Sequence, residues 1–300
     1  MYNSAFYKTE ARKRLSGNYG PAVAGTLIYM IPTYLVYLIS YLAGHFTGFN
    51  TAITYLLNII FQIFVFNVFM VGYMRFLINM KPADGTDAKR FDFNDVLSGY
   101  TSGFKNTLKT MLLRDLYLVL WGLIAIIPAA VCAGIIAYLS VTTDTIANIY
   151  NMMLQLIDSP SPDMLNNISS YIIENCAYLP VITSLTAMAS IACMIPVIYK
   201  SYEYSAVPMI LAENPDMDTK DIFKRSFNIM HGYRWKFFCI QLSFILYMML
   251  TAIIFTVSMS VPIFYFAQAL LMPYMWMTLL AFYTQRRDVV LYNISVYGNN

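Results

Sequence analysis

Charge is what this sequence has least of. Asp, Glu, Lys and Arg together make up 12% of its 300 residues, about half the roughly 25% found in soluble domains, while 59% are hydrophobic. Too little polar surface remains to coat a water-soluble globule, which excludes the soluble enzyme class. Histidine is nearly missing as well: His45 and His231 are the only two, far apart in the chain. Cys132, Cys176, Cys193 and Cys239 are scattered without a C-x-x-C pair, against both a disulfide framework and a His/Cys zinc site. No glycine-rich phosphate loop, H-E-x-x-H or G-x-S-x-G occurs. The expectation is a non-enzyme with no catalytic residue, no metal and no cofactor.

Long apolar runs are what the chain does have. A bilayer core about 30 Å thick needs roughly 20 apolar residues of helix. Between Arg14 and Arg75 there is no charged residue, a length that suits two helices with a turn at His45, Gly48 and Asn50. Ser258, Ser260 and Pro262 divide the last uncharged tract, Phe237 to Gln285. Six spans are expected, near 22–44, 52–74, 118–139, 179–199, 237–257 and 263–284. The first run exceeds the 7–15 residues typical of a signal-peptide core and lacks an A-x-A site, so it is read as an uncleaved span. The fold expected is all-α, a polytopic transmembrane helix bundle forming a single integral membrane domain over residues 1–300.

The few charges are sorted. Lys8, Arg12, Lys13 and Arg14 precede span one; Arg75, Lys81, Lys89, Arg90, Lys105, Lys109 and Arg114 follow span two. Lys200, Lys220, Lys224, Arg225, Arg234 and Lys236 follow span four, and Arg286 and Arg287 follow span six. These are all 19 Lys and Arg of the chain. The acidic loop at about 142–178 carries Asp144, Asp158, Asp163 and Glu174 and no basic residue. Because basic residues stay on the cytoplasmic side, both termini are expected in the cytoplasm and the acidic loop outside.

Inside the spans, uncharged amides stand out. Asn58 and Gln62 lie one turn apart, with Asn67 beyond them, and Gln241 and Gln268 lie in spans five and six. In lipid such groups need partners, as interhelical glue or as the polar lining of a bundle cavity. Arg114 and Asp115 at the start of span three read as a headgroup anchor. Ala129, Ala133 and Ala137, and the Gly44-x-x-x-Gly48 pair, permit close helix approach. Pro32, Pro128, Pro196 and Pro273 are expected to kink their helices.

Two cytoplasmic loops share a design. In the first, Asp92, Asn94 and Asp95 precede a surface helix with Phe104, Leu108 and Leu112 on its apolar face. In the second, Asp216, Asp218 and Thr219 precede Ile222, Phe223, Phe227 and Met230, closed by Gly232. Asp and Thr are good helix caps, and capping accounts for Asp216-x-Asp218 better than metal binding does. A third amphipathic segment, Tyr2 to Leu15, sets Phe6, Ala11 and Leu15 against a basic face for the inner leaflet. The two loops indicate a weak internal repeat of one orientation. Basic residues hug span ends, where anionic lipid explains them; nucleic acid is not expected as a partner.

Several stretches carry a family resemblance: "YKSYEYSAVPMILAENPD" from Tyr199, "SFNIMHGYRWKFFCIQLSFILYMML" from Ser226 and "LMPYMWMTLLAFY" from Leu271, with "KTEARKRLSGNYGPAV" and "GYMRFLINMKPADG" near the N-terminus. They resemble the bacterial integral-membrane family catalogued as domain of unknown function 975. The matching positions include Ser226, Met230, Gly232, Ser243, Phe244, Pro273 and Tyr274, while Tyr247 stands where a tryptophan is expected. The resemblance implies a multi-pass protein of the bacterial cell membrane and carries over no catalytic residue. Two functions remain in view. One is handling or transport of a lipid or small molecule; the other is a non-catalytic scaffold or accessory subunit holding a protein partner or a second copy of itself. Topology has a direct test: a reporter active only outside the cytoplasm should be active when fused near Ser161 and silent near Asp216.

Overall fold

A computed structural model describes residues 3–47, 58–81, 91–141, 145–158, 161–175, 179–258 and 261–297. Among the described residues every regular element is helical: α1 (Ser4–Leu15), α2 (Tyr19–Thr47), α3 (Asn58–Asn79), α4 (Phe104–Val141), α5 (Thr145–Asp158), α6 (Pro162–Asn175), α7 (Leu179–Glu203), α8 (Val207–Glu213), α9 (Thr219–Met230), α10 (Arg234–Leu242), α11 (Ile245–Ser258) and α12 (Val261–Tyr297). A 3₁₀ turn, Phe93–Leu97, runs into one helical turn, Ser98–Thr101, before α4. Gly48 and Asn50 of the expected turn, the start of span two at 52–57, Lys89, Arg90, Asp144, Cys176 and Ser260 lie outside the described residues.

Five helices, α2, α3, α4, α7 and α12, are long and apolar enough to cross a membrane. The expected fifth span is not one rod. It is the pair α10 and α11, bent by 44° at Ser243–Phe244, and counting the pair as one span brings the number to six. Ser243 donates its hydroxyl to Ile240 O (2.6 Å), and the Phe244 side chain is fully buried. A back-bonding serine beside a buried aromatic anchor is one identifiable way to turn a helix without proline. The four prolines lie inside continuous helices.

Two further expectations need correction. Phe104, Leu108 and Leu112 are not a separate surface helix; they open α4 itself, which begins well before residue 118 because no breaker separates its polar start from its apolar body. In α1 the buried side chains are Tyr7, Ala11 and Leu15, at i, i+4 and i+8, whereas Phe6 is exposed. The helix packs on protein: Tyr7 meets Phe282 edge-on at 5.5 Å and donates to Gln285 Oε1.

The shared loop design occurs three times. Asn3, Asp92 and Asp218 each accept a backbone N–H at the start of α1, of the 3₁₀ turn and of α9. Each segment ends on a left-handed glycine, Gly17 (φ 74°), Gly103 (φ 66°) and Gly232 (φ 73°), and then α2, α4 or α10 begins. Only glycine takes that conformation without steric cost. The chain therefore turns from a short capped segment into an apolar helix by the same chemistry each time.

The chain forms two compact units. The first comprises Met1–Leu116 with Ser201–Asn300, and the second Tyr117–Lys200. In the second unit α5 and α6 pair through Asn148, which donates to Tyr171 Oη (2.8 Å), and Lys200 sits 5.4 Å from the Trp121 ring. None of the most apolar 18-residue windows of α4 and α7 is buried by protein. Apolar surface on that scale belongs in lipid.

The first unit holds the core. Val71, Tyr73, Met74, Phe76 and Leu77 of α3 are buried; Tyr73 stacks on Tyr29 of α2 and Phe76 on Phe93, and the helix also packs on α8, where Val207 to Ala212 are buried. Backbones approach closely: a Cβ at Gly72 would run into Val96 O, and one at Gly99 into Val68 O. Glu203 and Arg234 form an ion pair (3.2 Å) with both side chains over nine-tenths buried, and Ser226 donates to Glu203 O (2.6 Å). Glu213 pairs with Arg287 and accepts from Tyr283 Oη (2.8 Å).

Two stability measurements in detergent follow. Gly72→Ala should destabilise by about 1–3 kcal/mol, as overpacking does, whereas Gly122→Ala, with open space around it, should leave the melting temperature unchanged or raised. Glu203→Gln should cost about 3 kcal/mol because it strands a buried guanidinium, and adding Arg234→Met should recover part of that loss.

Candidate functional site

Polar residues at helical spacing gather where α2, α3 and α12 meet. Thr33, Tyr37 and Ser40 follow one another at i, i+4 and i+7, which places them on one face of α2. Asn58 and Gln62, one turn apart, do the same on α3. Together with Tyr265 of α12 they line a cleft of about 370 Å³, whose remaining wall includes Pro32, Phe61 and Phe66. That volume lies at the lower end of the range for small-molecule pockets. Asn58 and Gln62 are exposed within it, so the cleft is open and not sealed.

Both helices are locally irregular here. Pro32 lacks the N–H that would bond to Ile28 O, leaving a carbonyl without its helical donor. In α3 the segment Gln62–Phe66 is a π-helical turn, closed by Asn67 N–H donating to Gln62 O. Such turns are rare and frequent at functional sites. The turn is held from outside, because Tyr100 donates its hydroxyl to Phe64 O at 3.0 Å. Asn58 Nδ2 approaches Ser40 Oγ across the cleft at 3.5 Å, a long contact.

An aromatic and polar layer lies below the cleft. Phe66 meets Tyr29 at 5.5 Å, and Tyr29 stacks on Tyr73 at 4.7 Å. The Tyr73 and Thr26 hydroxyls are 2.8 Å apart, both buried. Asn67, fully buried, donates to Asp115 Oδ2 and accepts from Arg114 Nη2 (3.3 Å), while Arg114 and Asp115 are paired at 2.6 Å. Asn67 therefore belongs to a structural triad and not to the cleft. Gln241, on α10, and Gln268, on α12, also lie outside the cleft lining.

The positions that carry the family resemblance have structural places instead. Ser226 holds Glu203 O, Met230 is buried in the core, and Gly232 is a left-handed turn. Ser243, Phe244 and Tyr274, the last preceded by Pro273, form the ground on which α1 docks. Lys8 Nζ donates to Ser243 O (3.2 Å) and sits 4.5 Å over Phe244, and Arg12 Nε donates to Tyr274 Oη (3.1 Å). Sequence reasoning missed Thr33, Tyr37, Ser40 and Tyr265 of the cleft. The i, i+4, i+7 spacing of Thr33, Tyr37 and Ser40 was an available signal; the approach of Tyr265 from more than 200 residues away was not.

The comparison with functionally characterised proteins returns no match, and the comparison with solved structures returns none either. A family model does match, over residues 1–288, and by it the chain belongs to the family described as protein of unknown function DUF975.

Proposed function

We propose that the chain is a six-span protein of the bacterial cell membrane, with both termini cytoplasmic, that handles or transports a small uncharged polar molecule or the polar head of an amphiphile through the α2–α3–α12 cleft. The sorting of all 19 Lys and Arg to one set of loops supports the orientation. The observation that carries the function is the cleft itself. Thr33, Tyr37, Ser40, Asn58, Gln62 and Tyr265 converge on one open space within helices that are otherwise apolar. Polar side chains on transmembrane helices usually find partners on other helices; here Asn58 reaches Ser40, and the whole group also borders an open space of about 370 Å³. Hydroxyls and amides offer donors and acceptors without net charge, which suits neutral hydrogen-bonding groups.

The test is native mass spectrometry of the chain released from its membrane in mild detergent. A bound small molecule or lipid should be present on the wild type. Gln62→Trp and Ser40→Trp, which fill the cleft, should lower its apparent affinity by about tenfold, equivalent to about 1.4 kcal/mol. Val119→Trp, at an exposed position of α4, should leave it unchanged. Retention in which every bound species ignores both cleft-filling variants would overturn the reading. So would the absence of any bound molecule together with a protein recovered at fixed ratio, which is the signature of a scaffold.

A further inference from the structure

A second groove, separate from the cleft, opens on the other side of α12. It measures about 750 Å³ and lies between the α1–α2 turn, α11 and α12. Its two ends differ in chemistry. At one end are Arg12, Ser16 and Gly17 with the phenol groups of Tyr19, Tyr247 and Tyr274; at the other the walls are Leu250, Ile254, Ala267 and Leu271. From Tyr247 to Ile254 and from Ala267 to Tyr274 are seven residues each, so the apolar part runs about 10 Å along two helices.

The polar end is built and positively charged. Arg12 Nε is held by Tyr274 Oη, and its guanidinium lies 5.7 Å from the Tyr274 ring centroid. Nη1 and Nη2 have no partner among the described residues. One turn away on α1, Lys8 sits over Phe244, which packs edge-on against Tyr274 at 5.4 Å. Burial lowers the Lys8 pKa, and the nearby Arg12 charge lowers it further. An anion beside Arg12 would relieve that repulsion. The free edge of a guanidinium matches the paired oxygens of a phosphate.

We infer that this groove binds an anionic phospholipid, with its phosphate on Arg12 and one acyl chain lying between α11 and α12. The occupant is a bilayer lipid because the charged mouth continues directly into an apolar slot between helices that border lipid: Leu250 and Leu270 are exposed apolar residues on its rim. Neither a soluble anion nor a neutral hydrocarbon would use both ends. The groove shares no lining residue with the cleft, so this inference is independent of the one above.

The experiment offers the purified chain dioleoyl phosphatidylglycerol and dioleoyl phosphatidylcholine in mixed micelles and counts bound lipid by native mass spectrometry. Wild type should retain the anionic lipid about tenfold more strongly, the scale of one charge-assisted hydrogen-bonded contact. Arg12→Gln should remove that preference and Arg12→Lys should restore part of it. Leu250→Trp, on the exposed rim, should displace the lipid while Arg12 remains, and glycerol phosphate alone should not compete. Ser40→Trp should have no effect. Equal retention of the two lipids by wild type, an unchanged preference in folded Arg12→Gln, or full competition by glycerol phosphate would each overturn the assignment.

Discussion

A helix that ends packed against its neighbours leaves its last carbonyls without helical partners and away from water. Several contacts that hold the larger unit together answer that constraint. Asn18 donates to Lys81 O just past α3, Ser226 to Glu203 O at the end of α7, Arg75 to Ala212 O near the end of α8, Arg286 to Ile229 O at the end of α9, and Lys8 to Ser243 O after α10. Asn106 meets both Pro215 O and Met217 O. Each donor comes from an element distant in the chain, so satisfying one helix end also fixes its neighbour. The basic residues that flank the apolar runs therefore have a structural part as well. Several are structural caps whose partners are backbone oxygens.

The same unit concentrates the costly features. The Glu203–Arg234 pair is removed from solvent, and the Gly72 and Gly99 contacts bring backbone against backbone. A buried ion pair is weak evidence for stability but specifies its partners strongly, since either half alone is penalised. Close glycine contacts act likewise by excluding any larger side chain. The cleft and the lipid groove flank α12 on two sides. That helix also carries Tyr283 and Arg287 into the charged layer.

Much of this was legible in the sequence where one residue type has one physical job. Apolar runs marked the long helices, Asp92 and Asp218 announced caps, and Gly232 announced a turn. Asn58 and Gln62 were visible as amides that needed a destination, and both lie in the cleft. Less legible were features set by partners far along the chain. Nothing local told Asn67, buried against Asp115, from Asn58, exposed in the cleft beside Ser40. The bend at Ser243–Phe244 has no proline to betray it, since it depends on a hydroxyl returning to Ile240 O and a ring buried beneath α1. The π-turn at Gln62–Phe66 likewise needs Tyr100 to meet Phe64 O.

The bare helices of the smaller unit have a consequence of their own. Where no protein covers the apolar windows of α4 and α7, each position must satisfy only the solvent around it, and one greasy side chain serves there as well as another. At Gly72 or Asn106 a single atom is already too many or too few. Change over evolutionary time should thus be unequal along the chain. The uncovered positions of α4 and α7 are free to drift within a hydrophobic alphabet, while the capped and paired ends keep their letters.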